Sequence, residues 1–224
     1  MLPITTLRLR RHEPVRIVAF GDSISEVGRS PRWHGGASRP AFNWARRLSG
    51  LLKQELPGAD IRVFNRGVGG ENAEEGLARV DSLRRLKPTL VLVEFGTNDC
   101  VHHFLEPEAT ETALTLLCRE LHWDFGADTV LLGTAGDNPL RPTFRHRDET
   151  IAATARAAVV AGRPFVDMRA AILAATNNGE RWTDYHVDEE NCHPNDLGHE
   201  VWARAVMGVL LPALAASHNW RHAP

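Results

Sequence analysis

Apolar residues along this chain are grouped in short, nearly continuous runs rather than in strict alternation with polar residues. Five runs have the length and the content of β-branched and aliphatic residues that strands have: 15–20, 61–65, 89–95, 129–135 and 164–168. Continuous apolar character is typical of strands that are covered on both faces, as in a parallel sheet. The pattern therefore predicts about five parallel strands in the interior of the protein.

Segments with helical spacing of their apolar residues separate these runs. Pro107 and the acidic residues after it are a typical helix start, and Gly162 is a typical helix end. The predicted helices are 40–56, 71–86, 107–123, 147–162 and 195–214. Strands and helices alternate, and crossovers between parallel strands are right-handed. The predicted fold is therefore an α/β fold, a three-layer α/β/α sandwich that is doubly wound.

The length of 224 residues is within the range of a single domain and is sufficient for a large core. We expect one domain over residues 1–224, with its core at roughly 15–212 and with tails at 1–14 and 213–224. The long irregular stretches are 25–39, 135–147 and 177–195, and loops of such length inside a domain are usually functional or disordered. We expect loops 25–39 and 135–147 to set the width of the substrate pocket.

Charge and cysteine content narrow the classes of partner and compartment. The formal net charge is -2 and the pI is about 6.6, which argues against nucleic acid or an anionic membrane as the main partner. The three cysteines have no paired spacing and form no CxxC motif, so neither a disulfide framework nor a zinc site is predicted. No apolar run has the length of a signal peptide or a membrane helix. We expect a cytoplasmic protein without stable membrane insertion, and the sequence does not indicate an oligomeric state.

Polar and glycine-rich turns follow the first three predicted strands. They are "GDSIS" (21–25), "RGVGG" (66–70) and "GTND" (96–99). In a parallel sheet these turns share the edge formed by the carboxyl ends of the strands, where ligands bind. Ser23 is a candidate nucleophile at this edge, and the Asn98 amide and the Gly70 N–H are candidate donors to an oxyanion.

A reactive serine needs a base, and His193 in the segment "DEENCHPND" (188–196) is the candidate by its context. It lies in a predicted loop that leads into the last helix. Taken singly, each of these residues also fits an ordinary turn or helix cap. Their occurrence together, in this order and at strand ends or loops, favours a catalytic site.

Four segments of the chain resemble the sequence blocks of the SGNH (GDSL-type) hydrolases, a family of serine esterases and lipases with a flavodoxin-like fold. "GDSIS" resembles the first block, "NRGVGGENAEEGLAR" (65–79) the second, "GTND" the third and "ENCHPNDLGHEVWA" (190–203) the fifth. The resemblance implies Ser23 as the nucleophile, His193 as the base, and an oxyanion hole made by the N–H groups of Ser23 and Gly70 with the Asn98 side chain.

The same resemblance implies a reaction. The chain is expected to cleave carboxylic esters of small or medium substrates through an acyl-enzyme, without a cofactor. The family usually has an Asp three residues before the histidine, whereas here that position is Glu190 and Asp188 lies two residues further back. We predict that Glu190 orients His193, with Asp188 as the alternative.

Several alternatives are compatible with the sequence. A carbohydrate O-acetylesterase or a thioesterase could use the same fold and site, and a catalytically silent binding module could keep the fold alone. A dinucleotide site at "GVGGEN" (67–72) lacks the third glycine of its motif, because Asn72 stands there. His102 and His103 are adjacent and would point to opposite sides of an extended chain, so they do not predict a metal site. Their role is not determined by the sequence.

Overall fold

The computed structural model describes residues 2–26, 43–101, 105–133, 146–176, 181–187 and 193–216. Its strands are β1 (Val15–Gly21), β2 (Ile61–Asn65), β3 (Leu90–Phe95), β4 (Asp128–Gly133) and β5 (Phe165–Asp167). All neighbouring strands pair in parallel, in the spatial order β2-β1-β3-β4-β5. The five predicted parallel strands are confirmed, and their order is the flavodoxin-like one.

Helices connect the strands as predicted, with short additions. They are α1 (Pro3–Arg10), α2 (Ser23–Glu26), α3 (Trp44–Glu55), α4 (Ala73–Ala78), α5 (Thr97–Val101), α6 (Pro107–Trp123), α7 (Arg147–Ala161), α8 (Met168–Ala175) and α9 (Asp196–Ala215), with 3₁₀ helices at Val80–Leu86 and Trp182–Tyr185. The helix predicted at 71–86 is divided into α4 and a 3₁₀ helix. Over the ranges described here, no helix has the length and apolar character required to cross a bilayer.

Alternate residues of the strands point into two separate cores. Ile17 and Ala19 of β1 pack with residues of α3, α8 and α9, whereas Val18 and Phe20 pack with residues of α4, α6 and α7. Both faces of the sheet are therefore covered by helices. This arrangement explains the continuous apolar runs and confirms the three-layer α/β/α sandwich.

The first residues of the chain are packed against the sheet, although the sequence suggested a tail at 1–14. Leu2 and Leu9 of this segment are buried in the core that includes α9. Thr5 is fully buried, and its backbone N–H and its hydroxyl both donate to Asp128 Oδ2, at 2.7 and 2.8 Å. The polar residue Thr5 is buried together with Leu2 and Leu9, so the apolar residues alone do not reveal the buried face of this helix.

The strand order places the predicted turns beside one another. The chain passes from β1 to β2 on one side of the sheet and then to β3 on the other side of β1. Open parallel sheets have a crevice at the carboxyl edge where the order reverses in this way. Ser23, Gly70 and Asn98 follow β1, β2 and β3, respectively, and therefore lie at that edge.

Candidate active site

Ser23 lies on a short turn that begins directly after β1 and forms the first residue of α2. Asp22 closes the turn, because its Oδ1 atom accepts the N–H of Ile24 at 2.9 Å and its own N–H donates to the Glu94 carbonyl at 3.3 Å. Ser23 is 6% exposed. Asp22 thus fixes the turn, and Ser23 is mostly buried within it.

The side chains of Ser23 and His193 form a hydrogen bond, with 2.8 Å between Oγ and Nε2. The backbone holds His193 on both sides of this contact. Val187 N–H donates to the His193 carbonyl at 3.0 Å, and Asn195 caps α9 by accepting the N–H groups of Leu197 and Gly198 at 2.9 and 3.1 Å. The separation of Oγ and Nε2 is within the range that proton transfer from a hydroxyl to an imidazole requires.

The loop that carries Gly70 is in close contact with α2. A Cβ atom at Gly67 would lie 2.4 Å from the backbone nitrogen of Glu26, so this approach requires glycine. Glu26 Oε2 in turn accepts the N–H of Gly69 at 2.8 Å. Gly70 itself has φ of +86°, a conformation that other residues rarely adopt. The loop from β2 is therefore joined to the helix that begins with Ser23.

The Asn98 amide lies between the turns that carry Ser23 and Gly70. Its Nδ2 atom donates to the backbone carbonyl of Glu71 at 2.9 Å and to Asp22 Oδ2 at 3.3 Å. These two acceptors directly follow Gly70 and directly precede Ser23 in the sequence. The structure thus brings Ser23, Gly70 and Asn98 to one place, and His193 joins them through its contact with Ser23.

Buried carboxyl groups surround this arrangement, and their place beside the site was not predicted from the sequence. Asp22, Glu94 and Asp99 are all fully buried. Burial raises the pKa of Asp99 to about 6, while the donors Thr110 Oγ1 and Ala73 N–H, at 2.9 and 3.3 Å from Oδ1, oppose that rise. One signal was available in the sequence, because Glu94 interrupts an otherwise apolar strand.

A second histidine, His186, lies beside His193 and was not singled out by its sequence. It forms an isolated bridge with Pro194 and stacks on Trp182, with 3.4 Å between ring centroids and 13° between ring planes. Burial lowers the pKa of His186 to about 4, and the nearby His193 contributes. His186 is therefore neutral near pH 7, and it lies next to His193.

Several predicted residues lie outside the described residues. Glu190 and Asp188, the two candidates for the orienting acid, are among them, as are His102 and His103. Most of loops 25–39 and 135–147 also falls outside. Within the described ranges, no group of three or more His, Cys, Asp or Glu side chains could hold a metal ion.

Comparison with known proteins places the chain in a family. The sequence model of the GDSL-like lipase/acylhydrolase family matches residues 19–201, which is most of the chain. The chain belongs to this family. The resemblance drawn from the sequence blocks is thereby confirmed.

The chain is similar to an acetylxylan esterase from Geobacillus stearothermophilus, with 27% identity over 211 residues. The matched residues cover 86% of this chain and 92% of the relative. The crystal structure of an acetylxylan esterase from the same organism has a TM-score of 0.71 at 23% identity, covering 92% of this chain and 95% of the other. An α/β hydrolase from the metagenome of Lake Arreo, Spain, has a TM-score of 0.73 at 23% identity, with 91% and 98% covered.

The GDSL-like family and the acetylxylan esterase relative indicate the class of reaction. The names of the family and of this relative both describe enzymes that hydrolyse carboxylic esters. The chain is a carboxylic ester hydrolase, and the two solved structures show that its fold is that of known hydrolases.

Proposed function

We propose that this hydrolase cleaves esters through an acyl-enzyme on Ser23, with His193 as the general base. The observation that carries the proposal is the hydrogen bond of 2.8 Å between Ser23 Oγ and His193 Nε2. A serine hydroxyl is a weak nucleophile until an adjacent base takes its proton, and this contact supplies the base. The location of the pair at the carboxyl edge of the sheet supports the same assignment.

The mechanism follows from this pair. As Ser23 Oγ attacks the carbonyl carbon of the ester, its proton moves to Nε2 of neutral His193. The tetrahedral intermediate then breaks its bond to the alcohol oxygen, and the His193 imidazolium protonates that oxygen. Water, deprotonated by His193, attacks the acyl-enzyme in the same way, and Ser23 recovers its proton when the carboxylic acid leaves.

The oxyanion of the intermediate is bound, in this proposal, by the N–H groups of Ser23 and Gly70 and by the Asn98 amide. The bonds from Asn98 Nδ2 to the Glu71 carbonyl and to Asp22 Oδ2 support this, because they hold the amide between the two turns. The longer bond, to Asp22 at 3.3 Å, is the one that an oxyanion would replace. A fixed donor of this kind contributes roughly 2.7–4 kcal/mol to transition-state binding.

We assign the orienting acid to Glu190 rather than to Asp188. Among the solved structures with this fold are catalytic mutants of the acetylxylan esterase in which a serine, a histidine, and an aspartate three residues before that histidine are replaced by alanine. Glu190 has the same separation from His193, whereas Asp188 lies two residues further away. The common spacing supports Glu190.

The substrate class that we propose is a small or medium acyl ester, and acetylated carbohydrate is a second, more specific candidate. The second candidate is favoured by the relative named acetylxylan esterase, which aligns with 86% of this chain. Initial rates on p-nitrophenyl esters of two to sixteen carbons, on acetylated xylo-oligosaccharides and on an acyl thioester distinguish the classes. Highest kcat/KM on the acetylated sugars would support the second candidate, and preference for long acyl chains would contradict both.

The experiment that tests the mechanism replaces Ser23. We expect Ser23→Ala to abolish hydrolysis of p-nitrophenyl acetate at an unchanged melting temperature, and Ser82→Ala, at an exposed serine of the 3₁₀ helix, to retain it. A fluorophosphonate should label Ser23 in the wild type. Mass-spectrometric mapping of the label to Ser25 or Ser30, or activity in Ser23→Ala, would contradict the proposal.

A further inference from the structure

Arg79 is a partly buried cation that the proposed mechanism does not use. It directly follows α4, and its side chain is 19% exposed. The guanidinium lies over the ring of Phe20, with 4.1 Å between Cζ and the ring centroid. A guanidinium that is largely withdrawn from water needs acceptors for its N–H groups.

Arg79 has two such acceptors, and they belong to different segments of the site. Its Nη2 atom donates to the carbonyl of Gly21, the last residue of β1, at 3.1 Å. Its Nε atom donates to the carboxylate of Glu71, whose side chain is 17% exposed. One guanidinium therefore joins the strand end that precedes the turn of Ser23 to the residue that follows Gly70.

The loop between β2 and α4 is connected to β1 on both sides of Gly70. Before Gly70, the N–H of Val68 donates to the Gly21 carbonyl at 2.9 Å. After Gly70, the ion pair of Glu71 with Arg79 provides the corresponding link, because Arg79 also donates to the Gly21 carbonyl. Loss of the guanidinium would remove this link from the second half of the loop.

The position of Glu71 affects catalysis because its backbone carbonyl orients Asn98. Asn98 Nδ2 donates to this carbonyl at 2.9 Å, which is shorter than its bond of 3.3 Å to Asp22 Oδ2. An amide group is planar, so the acceptor of one N–H sets the direction of the other. A displacement of Glu71 by about 1 Å would turn the amide, and a misplacement of that size lowers a catalytic rate by roughly 10².

Lysine would not replace Arg79 in this contact. The guanidinium is planar and holds its N–H donors in fixed directions, so it reaches two acceptors while one face lies on an aromatic ring. A lysine ammonium is a compact charge on a flexible stem and has no planar face. Positive charge alone would therefore not maintain the link between Gly21 and Glu71.

We propose that Arg79 is a positioning residue for ester hydrolysis, which holds Glu71 against the end of β1 and thereby directs the Asn98 amide towards the oxyanion. The role rests on the proposed function of Ser23 and Asn98. Arg79 makes no contact with the substrate in this role and acts on the reaction through Glu71 and Asn98.

The test is a double-mutant cycle between Arg79 and Asn98. In the wild-type background, Arg79→Lys should lower kcat on p-nitrophenyl acetate by at least about tenfold, up to the 10²–10³ of a lost oxyanion donor, with KM within about twofold. In the Asn98→Ala background, Arg79→Lys should lower kcat by less than about twofold, because no amide remains to be directed. A merely structural role of Arg79 would lower kcat by the same factor in both backgrounds.

Arg84→Lys is the matched control. Arg84 also stacks on a phenylalanine, with 4.7 Å from Cζ to the ring centroid of Phe125, and also pairs with a carboxylate, that of Asp81 at 2.8 Å. It lies in the 3₁₀ helix that precedes β3, so Arg84→Lys should keep the wild-type kcat. Wild-type kcat in Arg79→Lys, or equal factors in the two backgrounds, would overturn the proposal.

Glu71→Ala tests the same link with Arg79 in place. It removes the acceptor side chain but keeps the backbone carbonyl, so kcat should fall by at least about fivefold in the wild-type background and by less than about twofold in Asn98→Ala. Glu71→Gln retains an oxygen for the guanidinium and should be faster than Glu71→Ala. These variants decide the matter if Arg79→Lys does not fold: wild-type kcat in Glu71→Ala, or a Glu71→Gln no faster than Glu71→Ala, would overturn the role.

Failure of the proposed function has a different signature. Activity in Ser23→Ala would reject the nucleophile, and an unchanged kcat in Asn98→Ala would reject the oxyanion hole and with it the role of Arg79. An inactive Ser23→Ala and a slow Asn98→Ala together with a fully active Arg79→Lys would reject the role of Arg79 alone.

Discussion

Replacing Gly67 by alanine tests whether contact between the β2 loop and α2 positions the site. A Cβ atom added at this position would lie 2.4 Å from the backbone nitrogen of Glu26 and 2.8 Å from the Asp22 carbonyl oxygen. Both neighbours are backbone atoms, so they cannot turn away as a flexible side chain could. The loop and the helix must therefore separate by about 1 Å to reach ordinary van der Waals contact.

This displacement should cost both stability and catalysis. Added volume in a packed site destabilises by roughly 1–3 kcal/mol, which for a chain of this length lowers the melting temperature by about 2–4 °C for each kcal/mol. The same separation moves Gly70 and the Glu71 carbonyl, which orients Asn98, away from Ser23. A misplacement of about 1 Å in a catalytic arrangement lowers the rate by roughly 10².

The measurement is kcat and KM on p-nitrophenyl acetate, together with the melting temperature. Gly50→Ala is the matched control, because Gly50 lies in α3 and its added Cβ would meet no atom within 4 Å. Alanine in the interior of a helix should stabilise the control by roughly 0.5–1 kcal/mol without changing kcat. Wild-type kcat in Gly67→Ala would refute the prediction that this contact positions the proposed oxyanion donors.

Three further outcomes follow from the site. Asn98→Ala should lower kcat by roughly 10²–10³ with little change in KM, and an effect on KM alone would place Asn98 in substrate binding instead. Glu190→Gln should lower kcat far more than Asp188→Asn, by up to about 10⁴, and the reverse order of the two rates would transfer the orienting role to Asp188. The pKa of His186 is about 4 when folded and about 6.5 when unfolded, so its stabilising contribution is present above pH 6.5 and is lost as the pH falls towards 4. The melting temperature should therefore fall over that interval, and it should fall less in His186→Phe; equal slopes would contradict the assignment.

The sequence was sufficient for the five strands and for helices α3, α6, α7 and α9, because their signals are local. β2 has the predicted bounds, 61–65, and β3 and α7 differ from their predicted bounds by one residue. A strand buried on both faces must be apolar throughout, and a helix between the layers must repeat its apolar residues every three or four positions. Both requirements act within a few residues and are therefore visible in the chain itself.

Local sequence signals did not indicate two features of the fold, which are the division of the 71–86 helix at 78–80 and the packing of α1. The apolar spacing of 71–86 continues across the boundary between α4 and the 3₁₀ helix, so the period alone did not indicate the change. α1 is joined to the start of β4 by hydrogen bonds between Thr5 and Asp128, two residues 123 positions apart. A contact of that kind has no periodic trace in either segment.

The candidate site divides in the same way. The sequence by itself determined which strand ends carry Ser23, Gly70 and Asn98, since turns after buried strands are evident from composition. It did not determine, from residues alone, which of 11 histidines reaches Ser23, a contact that spans 170 positions. It also carried no indication that Asn98 would share its amide between Asp22 and Glu71.

Only the tertiary structure decided these contacts, because they depend on the strand order. Pairing of β1 with both β2 and β3 brings three turns to one edge and aligns Glu94 with Gly21, next to Asp22. The raised pKa of Asp22 is a consequence of its burial and of its proximity to the charge of Glu94. Neither quantity exists in the linear chain, and both arise only when the sheet is assembled.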